Sequence, residues 1–241
     1  MSIAENLHRV RERIARAAES AGRNPDEVTL VGVTKYVGAR EAAELAAAGC
    51  TDLGESRPQE LWKKAVDVER AGAFPPPAAS VSRSIHWHLV GHLQRNKVAR
   101  TLPLVTLIHS VDSERLFGAI SDAVDADNPQ PVDVLLEVNT SGEAAKHGLA
   151  PDEVERVLEV MPNYPHVFVL GLMTMAELEG GPSVAARNFA TLRELRDKLK
   201  PSAQKNVVLN ELSMGMSGDF EVAIREGATI VRIGSLLWEY E

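Results

Sequence analysis

The chain has 241 residues, of which 44% are hydrophobic and 25% are charged, and its formal net charge is −8 at pH 7. These values fit a globular domain, and the acidic balance disfavours general binding to nucleic acid. The single cysteine, Cys50, excludes an intramolecular disulfide and a cysteine-based zinc site, and the lack of a signal-peptide stretch or of an apolar run of about 20 residues predicts a cytoplasmic protein outside the membrane.

An amphipathic helix is predicted over residues 2–21. Ser2 and Glu5 form a capping-box pair, in which each side chain accepts a hydrogen bond from the other residue's backbone. Apolar residues then recur at helical spacing, and Gly22 is expected to end the helix.

Strands and helices alternate along the rest of the chain. Eight apolar segments are predicted as strands: Val28–Thr34, Thr51–Gly54, Ile85–Val90, Val105–Ser110, Val132–Asn139, Val167–Met173, Asn206–Glu211 and Thr229–Ile233. Helical patterns fill the gaps between them, over residues 39–48, 58–71, 94–100, 113–125, 151–160, 184–199 and 219–226.

This alternation predicts parallel strands joined by right-handed crossovers. Eight strand–helix units predict an α/β fold, a single closed (β/α)8 barrel of the TIM type with an extra N-terminal helix, and an open doubly wound sheet is the alternative. No gap resembles an interdomain linker, so we expect residues 1–241 to form one domain. The proline-rich segment Gly72–Ser84 is expected to be a surface loop.

Functional groups of a barrel gather at the C-terminal ends of its strands, and Lys35 directly follows the first predicted strand. Most lysines are solvated surface groups, whereas an apolar run leads into this one. Burial at the mouth favours a neutral amine, which is the form that attacks an aldehyde to give a Schiff base. Lys35 is therefore a candidate anchor for a carbonyl ligand.

Glycine and serine cluster after the seventh and eighth strands, in Leu212–Asp219 and in Ile233–Ser235. Barrels commonly bind phosphate with these two loops, because glycine lets backbone N–H groups approach an anion and serine adds a hydroxyl donor. Two ordinary turns, with Asp219 as a helix cap, are the alternative. The presence of both turns at the two expected positions favours a phosphate site.

Arg232 lies inside the otherwise apolar eighth strand. A buried guanidinium needs a partner. Arg232 either forms a structural ion pair with a core carboxylate, such as Glu137 or Glu211, or donates to a ligand atom.

The remaining polar candidates are ambiguous. Histidines His86, His88 and His92 could hold the metal of a hydrolase, but such a site needs ligands from other strand ends, and the other histidines, such as His109 and His147, are scattered. Packing or hydrogen-bonding histidines are therefore favoured, and no metal is predicted. Asn139 and Thr140, after the fifth strand, could orient a ring or cap a turn. Gln94, Asn96 and Lys97, after the third strand, fit a ligand site or a solvated face equally well.

Segments distributed through nearly the whole chain carry a family resemblance: Val33–Lys35, Trp87–Lys97, His109–Asp112, Val138–Glu143, Lys146–Leu149, Gly171–Thr174, Leu212–Ser217 and Ile230–Ser235. Together they resemble the pyridoxal 5'-phosphate (PLP) homeostasis proteins, which share the barrel of the alanine racemase N-terminal domain. The last two segments are the most specific. One departure is Ser56, which stands where the family often has asparagine.

The resemblance implies that PLP is the cofactor and that Lys35 holds it as a Schiff base. It also implies that Ser213, Gly234 and Ser235 hold the phosphate and that Arg232 faces the pyridine nitrogen. Met214, His88 and Asn139 would lie close to the cofactor.

Two function classes remain, a non-catalytic PLP carrier and a PLP-dependent amino-acid racemase. Racemases of this fold have a further β-domain that supplies a second acid–base residue, whereas this chain ends six residues after Ser235. Because arginine keeps its proton, Arg232 would leave the ring nitrogen unprotonated and the cofactor a weaker electron sink. We therefore expect a monomeric carrier that hands PLP to apo-enzymes and has no strong activity of its own.

Overall fold

A computed structural model describes residues 2–70, 85–124, 127, 129–143, 147–177, 180–202 and 204–239. Eight parallel strands close into a barrel in which each strand pairs with its neighbours in the chain and β8 pairs with β1. The strands are β1 Thr29–Val33, β2 Asp52–Glu55, β3 His86–Leu89, β4 Leu107–Val111, β5 Val132–Glu137, β6 Val167–Met173, β7 Val207–Ser213 and β8 Ile230–Ile233. The predicted closed barrel is confirmed, and the open sheet is wrong.

Helices surround this barrel. They are α1 Ile3–Ser20, α2 Ala39–Ala47, α3 Pro58–Arg70, α4 Val98–Thr101, α5 Glu114–Asp122, α6 Val154–Glu159, α7 Gly181–Leu199, α8 Phe220–Arg225 and α9 Ser235–Trp238. The predicted capping box of α1 is present, with the Ser2 hydroxyl accepting from the Glu5 backbone and the Glu5 carboxylate accepting from the Ser2 backbone. Within the described residues, no helix combines the length and apolarity needed to cross a bilayer.

The apolar core has two layers. A large cluster lies between the strands and the helices, and a small one fills the barrel interior with Val31, Leu107, Leu135, Met173 and Ile230. Side chains two apart on a strand share a face, so each strand feeds both layers.

Three predicted boundaries move in ways that matter for the site. Strand β7 continues to Ser213, so this serine ends a strand instead of opening a loop. Strand β5 stops at Glu137, which leaves Asn139 in the loop after it. Helix α7 begins at Gly181, three residues before the predicted start at residue 184, because the proline at position 182 is well tolerated in a first helical turn. The predicted loop Gly72–Ser84 lies outside the described residues.

The two ends of the described chain are in contact, through helices α1 and α9. The buried Asn6 amide on α1 donates to the carbonyl oxygens of Leu237 and Glu239, at 3.2 and 2.9 Å. On α9, the Trp238 indole N–H donates to the carbonyl oxygen of Val33, the last residue of β1, at 2.9 Å. These bonds fix α9 against the end of β1.

Candidate functional site

Lys35 lies two residues beyond the end of β1, in a turn closed by the bond from the Val37 N–H to the Thr34 carbonyl at 3.1 Å. Its side chain is exposed, so the burial expected from the sequence is wrong. The Nζ atom lies 4.8 Å from the ring centroid of Tyr36, itself 81% exposed. An amine and an aromatic ring therefore stand together at the C-terminal face, open to a ligand.

The backbone before Lys35 is held by a buried ion pair that the sequence did not indicate. Lys64 on α3 pairs with Glu55 at the end of β2, and both side chains are almost fully buried. The Lys64 ammonium also donates to the Thr34 carbonyl at 2.7 Å, and the Thr34 hydroxyl donates to Glu55 at 2.9 Å. These buried contacts among Lys64, Glu55 and Thr34 fix the backbone of Thr34, the residue immediately before Lys35.

The β8 loop lies directly against the end of β1. A Cβ built on Gly234 would lie 3.7 Å from both Cβ and the carbonyl oxygen of Val33, which is ordinary van der Waals contact. The Gly234 N–H donates to the Ser217 hydroxyl at 3.2 Å, and this bond joins the loops after β7 and β8. Ser235 is exposed at the start of α9. The two predicted phosphate loops therefore meet beside the Lys35 turn.

The β7 end is organised differently from the prediction. Ser213 is fully buried and faces the barrel interior, and the next residue, Met214, is buried in the layer between barrel and helices. Asp219 stands at the N-cap position of α8 but makes no side-chain cap bond there; its carboxylate accepts from the Met216 N–H at 2.6 Å in the preceding loop. Ser217, which sequence reasoning missed as a site residue, is the serine of this loop that contacts the β8 loop.

Arg232 is buried, and its two guanidinium nitrogens Nη1 and Nη2 donate to the Ser213 hydroxyl at 2.5 Å and to the Thr174 carbonyl at 3.0 Å. No carboxylate of the described residues forms an ion pair with it, so the structural ion pair is not found there. Burial lowers the pKa of Arg232 to about 10, although the charges of Glu137 and Asp219 oppose this shift. The group stays cationic at neutral pH.

His88 lies inside the barrel, with its Nδ1 2.9 Å from Nε2 of the buried His109 and its Nε2 3.2 Å from an Asp52 carboxylate oxygen. His86 contacts the same oxygen at 3.2 Å. Both ring nitrogens of His88 are therefore occupied, which leaves none to coordinate a metal. These contacts support the hydrogen-bonding interpretation of the histidine pair.

The Asn139 amide folds its own loop. Its nitrogen donates to the Glu143 carbonyl at 2.9 Å, and its oxygen accepts from the Ser141 hydroxyl and the Gly142 N–H at 3.0 and 3.1 Å. These bonds agree with the turn-capping alternative for Asn139, and its contact with a cofactor stays a prediction. The Thr140 hydroxyl lies 2.9 Å from the Thr174 hydroxyl, and the carbonyl of the same Thr174 accepts from Arg232.

A second cluster lies at the ends of β3, β4 and β5. His92, Asp112 and His147 bring one ligand atom each within 4.8 Å of one another. The imidazole rings are stacked at 4.8 Å, and His92 Nδ1 lies 3.5 Å from the Asp112 carboxylate. Two of these residues also line a pocket of about 630 Å³ with Gln94 and Asn96. In this arrangement the His92 ring contacts the Asp112 carboxylate on one side and stacks on the His147 ring on the other.

The structure brings together some predicted residues and separates others. Arg232 and Ser213 are in contact, and Gly234 and Ser235 lie beside the end of β1. His88 connects to Ser213 only through His109. Met214 and Asn139 direct their side chains into the core and into their own loop, respectively. The sequence pattern carried no signal for Lys64, because its partners come from β1 and β2.

Relatives of known name share nearly the whole chain. The family model described as "Alanine racemase, N-terminal domain" matches residues 6–241. A "Pyridoxal phosphate homeostasis protein" of Aquifex aeolicus is 42% identical over 238 residues, covering 99% of this chain and 98% of that protein. The protein of the same name from Escherichia coli is 31% identical, covering 98% and 95%.

Solved structures agree with these matches. PipY of Synechococcus elongatus with PLP bound superposes with a TM-score of 0.82 at 29% identity, covering 99% of this chain and all of that one. A protein from Bifidobacterium adolescentis described as unknown gives a TM-score of 0.89 at 39% identity, covering 98% of this chain and 94% of that one. An alanine racemase of Clostridium difficile, at 14% identity and a TM-score of 0.69, shares the fold over 57% of its own length. The chain therefore belongs to the pyridoxal phosphate homeostasis proteins, a family built on the barrel of the alanine racemase N-terminal domain.

Proposed function

We propose that this protein binds PLP at the C-terminal face of the barrel, as a Schiff base on Lys35, and acts in PLP homeostasis as a carrier without strong catalytic activity. One observation carries the proposal: the β8 loop packs against Val33, so Gly234 and the Lys35 turn are neighbours. A PLP-bound relative of the same fold supports it.

The chemistry of the donor set fits PLP. An exposed lysine amine is available for an aldehyde, and an arginine that stays protonated can donate to a ring acceptor. Two joined Gly/Ser loops suit an anionic group, because glycine lets backbone N–H groups approach it and Ser217 and Ser235 add hydroxyl donors. When bound, PLP supplies a reactive aldehyde and an electron-withdrawing ring.

The contacts of Ser213 favour a revised role for its side chain. Its hydroxyl already meets Arg232 and His109, at 2.5 and 2.8 Å, inside the barrel. We therefore assign the phosphate to the loops that contain Ser217, Gly234 and Ser235, and we assign Ser213 to the support of Arg232.

Arg232 also favours a carrier over a racemase. Carbanion chemistry on PLP gains from a protonated ring nitrogen, and a permanently protonated arginine opposite that nitrogen keeps it unprotonated. The cationic state of Arg232 at neutral pH is consistent with this role. A racemase is the second candidate, because the barrel is shared with alanine racemase.

Absorption spectroscopy of the purified protein with added PLP tests the proposal. We expect a visible band that borohydride bleaches, that Lys35→Ala abolishes, and that the control Lys63→Ala, at an exposed lysine of α3, leaves intact. A band that survives Lys35→Ala would refute the anchor. A steady-state racemase or decarboxylase rate that Lys35→Ala removes would overturn the carrier in favour of the enzyme.

Transfer is the remaining part of the proposal. A Schiff base is reversible, so PLP can be released to apo-enzymes that need it. The monomeric state and the location in the cytoplasm stay predictions from the sequence, and sedimentation of the purified protein tests the first of them.

A further inference from the structure

A continuous chain of polar side chains crosses the barrel interior. Arg232 Nη1 lies 2.5 Å from the Ser213 hydroxyl, which lies 2.8 Å from His109 Nδ1. His109 Nε2 lies 2.9 Å from His88 Nδ1, and His88 Nε2 lies 3.2 Å from Asp52 Oδ1. We call these five residues the interior relay. Because β4 and β7 are not neighbours in the barrel, the contact between His109 and Ser213 spans the interior.

The relay joins the two faces of the molecule. Asp52 is the first residue of β2, at the N-terminal face, and its side chain is 28% exposed. Arg232 lies near the end of β8, at the C-terminal face where we place the PLP site. The four residues Arg232, Ser213, His109 and His88 are at most 5% exposed, so water does not interrupt the relay.

Hydrogen-bond accounting gives the relay a direction. Arginine can only donate, so the Ser213 oxygen accepts from Arg232. The Ser213 hydroxyl then donates to His109 Nδ1. His109 carries its proton on Nε2 and donates it to a hydrogen bond with His88 Nδ1. His88 likewise carries its proton on Nε2 and donates to the Asp52 carboxylate. In this arrangement every contact has one donor and one acceptor. The opposite arrangement would place a bare His88 nitrogen against the Asp52 carboxylate.

The charges around the relay agree with this direction. Burial, together with the positive charge of Arg232, lowers the pKa of His109 well below its usual value, so His109 is neutral and has a single N–H to donate. Burial raises the pKa of Asp52, but the hydrogen bonds that it accepts from His88 and His86 help to outweigh this effect, and the pKa is lowered overall. An ionised Asp52 is the acceptor that the direction requires.

We propose that Asp52, His88 and His109 are positioning residues for the ligand site, and that the Asp52 carboxylate at the opposite face of the barrel sets the orientation of Ser213 and thereby of Arg232. The link to PLP rests on the function proposed above, whereas the direction of the relay does not. No residue of the relay except Arg232 is assigned a contact with PLP.

The first test needs no PLP. Nitrogen-15 NMR of the histidine rings in the PLP-free protein reports which nitrogen carries the proton. We expect the Nε2-protonated form for both His88 and His109. In Asp52→Asn, whose side-chain amide can donate to His88 Nε2, we expect the proton of one or both rings to move to Nδ1. The control Asp133→Asn, at the N-terminal end of β5, should leave both rings unchanged.

The second test measures PLP binding. His109→Phe, which removes the central member of the interior relay, should weaken PLP affinity by about tenfold. Ser213→Ala should weaken it by a similar factor. In the first variant the Ser213 hydroxyl that binds Arg232 loses its orientation, and in the second that hydroxyl is absent. Thermal unfolding of each variant separates this effect from loss of the fold. Unchanged affinity in a folded His109→Phe protein would refute the positioning role.

The outcomes separate the two proposals. If both rings carry the proton on Nδ1 in the unmodified protein, the relay does not run towards Asp52 and this inference is wrong, whatever happens with PLP. If the ring protons are as expected but the protein gives no PLP band, the function proposed above fails and the relay direction stands.

Discussion

At the scale of single residues, the buried pair of Lys64 and Glu55 controls the backbone beside Lys35. The Lys64 ammonium bonds the Thr34 carbonyl, and Glu55 accepts from the Thr34 hydroxyl and from the Ser56 N–H at 3.2 Å. Removal of one charge would leave the other buried without its partner, which costs far more than the net contribution of the pair.

Lys64→Met should therefore destabilise the protein by about 3–5 kcal/mol in urea unfolding. The double variant Glu55→Leu/Lys64→Met should lose less than Lys64→Met alone, because it leaves no unpaired charge. The control Lys198→Met breaks an exposed pair with Glu155 and should cost at most about 1 kcal/mol. Equal losses in the single and double variants would contradict the buried-charge explanation.

The neutral state of His109 predicts a pH dependence of stability. Its pKa is lowered in the folded protein, so the folded state binds fewer protons than the unfolded state. Its contribution is complete above the ordinary value of 6.5 and is lost as the pH falls below it.

Below pH 6.5, His109 should add a slope of up to about 1.4 kcal/mol per pH unit to the free energy of unfolding. His109→Gln should lack that slope, whereas His8→Gln, at a histidine that is 75% exposed, should keep it. Urea unfolding at a series of pH values measures the difference. Parallel curves for the unmodified and His109→Gln proteins would show that folding does not lower the pKa of His109.

Strand ends made part of the site predictable from the sequence. Lys35 and Gly234 follow the ends of β1 and β8, Arg232 stands near the end of β8, and the apolar runs that predict these strands also give the three positions. The contacts of His109 and Lys64 could not be found in this way, because His109 meets a residue 104 positions away and Lys64 one 30 positions away. The turn that exposes Lys35 was also missed, since a strand pattern says where a strand ends but not how the chain leaves it.

At the scale of elements, two neighbouring strands come unusually close at Gly171. A Cβ built there would lie 1.9 Å from the carbonyl oxygen of Glu211, a backbone atom of β7 that cannot move alone. The register of β6 shifts at the same place against both of its neighbours. Because glycine has no side chain, β6 can lie this close to β7, whose last residue is Ser213.

Gly171→Ala should push β6 and β7 apart and cost about 1–3 kcal/mol or more in urea unfolding. Gly118→Ala is the matched control, because nothing lies within 4 Å of a Cβ at that position on α5. Alanine is the better helix former, so the control should gain about 0.5–1 kcal/mol. A neutral Gly171→Ala would show that the strands can separate freely.

The elements themselves were largely predictable. Each of the eight strands overlaps its predicted segment, because apolar runs bounded by polar turns carry a strong local signal. The end of β7 was set two residues short, since Leu212 and Ser213 were assigned to a Gly/Ser loop. That small difference matters, because it turns the Ser213 hydroxyl into the barrel.

At the scale of the whole molecule, α1 and α9 bind each other beside β1, whose pairing with β8 closes the barrel. The Asn6 amide binds two carbonyl groups at the end of α9, and the Arg9 guanidinium donates to the Asn6 oxygen at 2.8 Å. The contact between α1 and α9 therefore bears directly on the position of the β8 loop, which precedes α9.

Asn6→Ala should cost about 1–3 kcal/mol, because it leaves buried carbonyl groups without a donor. Asn163→Ala, at an exposed asparagine, should have little effect in the same urea titration. If the contact between α1 and α9 positions the β8 loop, Asn6→Ala should also weaken PLP binding in protein that is still folded. Unchanged stability would show that α9 docks without the Asn6 bonds. The sequence predicted the extra helix α1 but not its contact with α9, which joins residues 231 and 233 positions apart.

The most direct measurement traps PLP on the folded protein with borohydride and maps the modified peptide by mass spectrometry. The account predicts one phosphopyridoxyl group per chain, on Lys35, and its loss in Lys35→Ala. A group found mainly on another lysine, or no group on any lysine, would contradict it.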